Sequence, residues 1–144
     1  MRFHPILLLV LLVLSAGCGG SSGSGSSSGA PASASGTLVT KVEHASAKVT
    51  GASIVGTVKI TEGGKPGEHL TLRYGLVDAV SGVRASQEER LAATYTTTAA
   101  VDSKDVTVRF PKPDTPTDYL MHFVLYGPDG SYLASADSDV FSVR

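Results

Sequence analysis

From Leu38 onward apolar residues recur at every second position, and this period of two constrains the fold more than any other feature. Ile54, Gly56, Val58 and Ile60 alternate with Val55, Thr57, Lys59 and Thr61. Leu70, Leu72, Tyr74 and Leu76 alternate with Thr71, Arg73 and Gly75, and Val106, Val108 and Phe110 with Thr107 and Arg109. Tyr119, Met121, Phe123 and Leu125 alternate with Leu120, His122, Val124 and Tyr126, and Phe141 and Val143 close the chain. Successive side chains of a strand point to opposite faces, so each run reads as a half-buried strand. Leu38–His44, Ala47–Val49 and Tyr95–Val101 are weaker strand candidates. Turn residues separate the runs: Gly63 to Gly67, Asp78 to Gly82, and Pro128-Asp129-Gly130, where Pro presets φ and Gly accepts a positive one. The pattern predicts an all-β, antiparallel sandwich, with a small closed barrel as the alternative. One segment departs from it. Arg84–Ala93 carries Ser86 and Glu89 at capping-box spacing and helix-favouring residues between them and Ala92, which predicts a short connecting helix.

The domain with this alternation covers residues 37–144, about 108 residues and enough for one core. It resembles the immunoglobulin-like and fibronectin type III-like sandwiches at Thr117-Asp118-Tyr119, which enters the strand Leu120–Tyr126. Those families place a tyrosine there whose hydroxyl caps the preceding connection. The resemblance implies a fold and no function.

The first 36 residues have a different character. Arg2 precedes an unbroken apolar run from Ile6 to Leu14, followed by the small residues Ser15, Ala16 and Gly17. That is the layout of an export signal over residues 1–17. A spanning helix needs about 20 apolar residues, and this stretch ends at Ala16. The sequence Leu-Ser-Ala-Gly-Cys, Leu14 to Cys18, resembles the lipobox of bacterial lipoproteins. The resemblance implies a diacylglyceryl group on the Cys18 sulfur, cleavage just before Cys18, and a cell-envelope location. Gly19 rather than Asp favours the outer membrane where one exists. An ordinary secretory signal with an incidental cysteine is the alternative. Cys18 is the single cysteine of the 144-residue chain, so an internal disulfide is excluded. Residues 18–36, lipidated Cys followed by Gly, Ser, Ala and one Pro, read as a flexible linker with a root-mean-square reach of about 23 Å.

Composition and motifs bound the function. The formal charge is −1, with no Trp and 6% aromatic residues. A basic stripe and base-stacking platforms are both missing, so no nucleic-acid partner is expected. No Gly-x-Ser-x-Gly elbow or phosphate loop occurs. His44, His69 and His122 lack zinc spacing and read as surface strand residues. Asp129, Asp137 and Asp139 cluster near one end but do not form a calcium loop. Glu88 and Glu89 are adjacent, and adjacent positions on a helix do not face each other. No catalytic residue, metal or cofactor is expected. The expected role is a membrane-anchored, non-enzymatic interaction module with an envelope protein or glycan partner. The alternative is a structural or assembly accessory subunit of an envelope complex. The expected partner face is the outer side of the last long strand, Leu120, His122, Val124 and Tyr126, with Arg73 at its rim. It is unusually apolar for an outward face. The competing expectation is that Arg84–Ala93 folds across this face with Leu91 over it.

Overall fold

The computed structural model describes residues 36–85 and 88–144. Cys18 and the leader and linker lie outside the described residues, as does Ser86. The described residues form eight strands: β1 (Val39–Thr50), β2 (Ser53–Gly63), β3 (His69–Asp78), β4 (Arg90–Thr96), β5 (Asp102–Pro111), β6 (Asp118–Tyr126), β7 (Tyr132–Asp137) and β8 (Phe141–Ser142). One sheet has the order β1-β2-β5, and the other β4-β3-β6-β7 with β8 also on β6. Every named pairing is antiparallel. This is an immunoglobulin-like β-sandwich of a three-stranded and a five-stranded sheet.

The alternation sorts the side chains between core and solvent. Ile54, Val58, Ile60, Leu70, Leu72, Leu76, Met121, Phe123 and Leu125 are essentially inaccessible. Burying each such side chain contributes about 1.5–3 kcal/mol before chain entropy is set against it. The two sheets pack tightly over Gly56. A Cβ there would lie 2.1 Å from Met121 Sδ and 3.1 Å from Phe123 Cζ, so glycine is required by space rather than by its φ angle. Tyr74 spans the layers. Its ring stacks on Phe123 at 6.3 Å and meets Phe110 edge-on at 6.4 Å. Its hydroxyl donates across the sandwich to the Arg109 carbonyl at 2.8 Å. At the entry to β6 the Tyr119 hydroxyl donates to the Thr115 carbonyl at 3.2 Å. This is the corner that the Thr117-Asp118-Tyr119 sequence predicts.

Two elements differ from the sequence expectation. The weak candidates Leu38–His44 and Ala47–Val49 are one strand. Between Glu43 and Ser46 the register on β2 advances by one residue fewer than on β1. His44 takes a positive φ of 52°, and the inward frame moves from Val42 to Ala45 and Ala47. A β-bulge of this kind shifts the alternation by one position and conceals the strand. The predicted helix over Arg84–Ala93 is absent: among the described residues there is no helix. Arg84 makes an isolated bridge with Val77, and Arg90–Thr96 pairs with β3. A ten-residue helix without strong tertiary support is marginal in water, whereas pairing with β3 supplies a ladder of hydrogen bonds and lets Ala92 and Tyr95 pack on the core.

The connections between strands gather at two opposite ends. The β2–β3, β4–β5 and β6–β7 turns share one end with Gly36. The buried Thr97 fastens two of these turns: Glu68 N–H donates to its hydroxyl at 3.0 Å, and that hydroxyl donates to the Lys65 carbonyl.

The packing over Gly56 yields a test. Gly56→Ala is expected to destabilise the fold by about 1–3 kcal/mol through overpacking. Combined with Met121→Ala, which alone should cost about 2–5 kcal/mol, the losses should be sub-additive in a denaturant double-mutant cycle. Full additivity would show that the two positions do not compete for the same space.

Candidate functional site

The outer face of the β4-β3-β6-β7 sheet carries the residues that sequence reasoning singled out. Strand pairing sets them in rows. Gly75, His122 and Asp137 form one row, Arg73, Val124 and Ser135 the next, and Thr71 and Tyr126 a third. Leu120 pairs with Val77 toward the far end. The structure therefore brings Arg73, His122, Val124 and Tyr126 together.

Their exposure differs. Leu120, His122 and Tyr126 are half-buried and Arg73 is exposed, while Val124 is only 2% exposed. The segment before β4 lies along this face, and Leu91, the register partner of Arg73, is 59% exposed and does not cover Val124. Glu89 comes closest to the glycine row instead. Gly75 presents no side chain outward, and a Cβ there would meet Glu89 Cγ at 4.0 Å. The Glu89 carboxylate is 9% exposed and pairs with Arg84 at 2.8 Å. It also accepts the Tyr126 hydroxyl at 2.9 Å. Oε1 is buried and lies within ion-pair distance of Arg84 without a well-aligned hydrogen bond; the charge attraction needs no such alignment. Burial first, then the hydrogen bond to Glu89 and its charge, hold the Tyr126 phenol above the ordinary tyrosine range.

His122 Nδ1 contacts Asp137 Oδ1. This contact fixes the imidazole against β7 and leaves Nε2 without a hydrogen-bond partner among the described residues. A carboxylate-oriented histidine is one half of a catalytic relay, but no hydroxyl, thiol or amine nucleophile hydrogen-bonds it among the described residues.

Arg73 is an exposed cation of the face. Nη1 donates to the Glu89 carbonyl at 3.5 Å, the outer limit of such a bond, and among the described residues Arg73 forms no ion pair. Beside it an open cleft of about 430 Å³ runs between β3 and the β6–β7 turn, lined by Thr71, Arg73, Glu89, Tyr126, Pro128 and Gly130 among others. Small-ligand sites occupy about 300–1,000 Å³.

The remaining sequence candidates separate from one another. Asp129 folds back on its own turn and accepts the Ser131 N–H at 3.0 Å. Hydrogen bonds from Ser131 hold its carboxyl below the ordinary range. Asp137 binds His122 and Asp139 is exposed. His44 sits in the β1 bulge, and His69 Nδ1 lies 3.1 Å from the Thr96 hydroxyl. Among the described residues no group of three His, Cys, Asp or Glu could hold a metal ion. Glu89 is the site residue that sequence reasoning missed. Its signal was the outward-facing Gly75 inside a strand, which marks a close approach by another part of the chain.

No protein-family model and no curated protein matches this chain. Solved structures do resemble its fold. An alkylpurine DNA glycosylase from Pseudomonas fluorescens, bound to DNA containing an abasic site analog, is 16% identical with a TM-score of 0.47, over 73% of this chain and 30% of that one. Beta-glucosidase 3B from Thermotoga neapolitana is 13% identical with a TM-score of 0.40, over 74% of this chain and 16% of that one. A CARDB domain from Pyrococcus furiosus, in complex with di-metal ions, is 13% identical with a TM-score of 0.40, over 72% of this chain and 86% of that one. The chain thus spans less than a third of the length of the two enzymes.

Two measurements test this geometry. Val124→Lys is expected to cost several kcal/mol in denaturant unfolding, because it buries an unpaired charge. A loss within about 0.5 kcal/mol would place position 124 on open surface. In a spectrophotometric titration the Tyr126 phenol should ionise above the ordinary tyrosine range, and Glu89→Gln should bring it down. The stability linked to this raised value is complete below the ordinary range. It is lost as pH rises through the raised value.

Proposed function

We propose that this protein is a membrane-anchored lipoprotein of the bacterial cell envelope, and that its sandwich is a non-enzymatic interaction module. The observation that carries this reading is the place of Cys18. The chain's single cysteine stands where an apolar leader ends in small residues and a Gly/Ser-rich sequence begins. Two acyl chains or more anchor stably, at about 0.8 kcal/mol per buried CH₂.

An antiparallel sandwich with its polar groups engaged in local pairs is compatible with a binding domain. The proposed partner face is the outer side of β3 and β6, where Arg73, His122, Tyr126 and Leu120 offer contacts and Val124 supports them from beneath. A polar rim around a partly apolar centre is the usual anatomy of an interaction surface.

Cys18→Ala should abolish incorporation of labelled fatty acid, and should leave the chain uncleaved or away from the membrane fraction. Wild-type protein recovered in the soluble fraction, with no lipid on its N-terminus, would refute the anchoring proposal.

A further inference from the structure

The cleft beside Arg73 has a chemistry that narrows the kind of partner. Its accessible charge is positive. Arg84 neutralises the Glu89 carboxylate at 2.8 Å, and Glu89 Oε1 is out of reach of solvent. Arg73 keeps most of its guanidinium fork unused, since a single long bond to the Glu89 carbonyl is its one hydrogen bond among the described residues. A planar fork of this kind matches a carboxylate with two parallel hydrogen bonds. Among the described residues Arg73 is the one cation that lines the cleft, which suits a singly charged carboxylate better than a phosphate carrying nearly two charges.

The rest of the lining selects among carboxylate bearers. Thr71 and Tyr126 stand opposite each other in register, a hydroxyl and an aromatic ring on one row. The Tyr126 hydroxyl donates to Glu89 and so faces the cleft as an acceptor. The β6–β7 turn closes the cleft with Gly127, Pro128 and Gly130. Acceptors and a ring wall suit a ligand rich in hydroxyl donors. A peptide backbone finds no ladder here. The floor is β3 and β6, and each is paired on both sides, β3 by β4 and β6, and β6 by β3 and β7. Recognition must therefore run through side chains and the turn.

We propose that this cleft binds an acidic saccharide, a uronic acid unit whose carboxylate is held by Arg73 while its ring hydroxyls meet Thr71, Tyr126 and the β6–β7 turn. The proposal rests on the interaction-module reading and names the ligand class of that same face.

The test uses the full chain in detergent solution, titrated calorimetrically with trigalacturonic acid, with its methyl ester and with a glutamate-rich peptide. Saturable binding of the acid is expected, weakened about tenfold or more by Arg73→Ala and by esterification, as for loss of a charge-assisted contact. Arg73 is exposed, so the variant should melt with the wild type. Should it fail to fold, the methyl ester removes the same charge pair without altering the protein. No binding of the acid, or binding indifferent to both changes, overturns the proposal. Tighter binding of the peptide also overturns it while leaving the interaction module in place. Anchoring through Cys18 is read separately by lipid labelling and does not bear on these titrations.

Discussion

The closeness of the two sheets over Gly56 is the constraint on which the rest of the molecule depends. Met121 and Phe123 fill the space that any side chain at position 56 would need. That contact brings Tyr74 within reach of both Phe110 and Phe123, and lets its hydroxyl reach the Arg109 carbonyl on the opposite layer. At one open side of the sandwich, Lys104 sits 4.5 Å over the Tyr95 ring and pairs with the buried Glu62 at 2.8 Å. Burial, and then the Glu62 charge, hold the Tyr95 phenol above its ordinary range. With the interior closed in this way, the outer faces take their shape from strand register and from the segments laid over them.

Those two outer faces differ in kind. On the β1-β2-β5 sheet the outward rows are hydroxyls and charges. Thr61 and Ser103 bond at 2.7 Å, and Thr57 and Thr107 lie 3.4 Å apart. Such a surface is well solvated. The other face has a missing side chain at Gly75, a chain segment laid beside it, and a buried carboxylate tied to a phenol. Polar groups with buried partners of this sort hold one geometry, whereas exposed pairs exchange readily with water.

Much of the fold was legible in the sequence because β2, β3, β5 and β6 each keep an unbroken inward frame. The inward residues of those runs are the ones that form the core. β1 was read as two fragments because the bulge at His44 moves its frame. β4 was obscured because Glu88, Glu89, Arg90, Leu91 and Ala92 favour helix locally, and only pairing with β3 overrides that preference. The candidate site was partly legible for the same reasons. Arg73, His122, Val124 and Tyr126 share a face by parity, so their proximity follows from strand pairing. The depth of Val124 and the role of Glu89 depend on how a connecting segment crosses that face, and periodicity contains no information about such a crossing.

The placement of the two ends of the described chain has a mechanical consequence. Gly36 lies with the β2–β3 turn, its own position close against Gly64, while Arg144 lies at the opposite end, its carbonyl 2.8 Å from Lys112 Nζ. A force drawn between these ends runs along the strands. It loads β1 against β2 in shear, so the ten register pairs of that ladder share the strain. β8 is held to β6 by two register pairs, with one further backbone bond from the Val143 N–H to the Thr117 carbonyl, so this much shorter ladder carries the load first. Tension applied from the C-terminal side would therefore peel a short strand while the bulged β1 ladder stays closed, and the sheet bearing the cleft would begin to loosen at the end farther from Arg73.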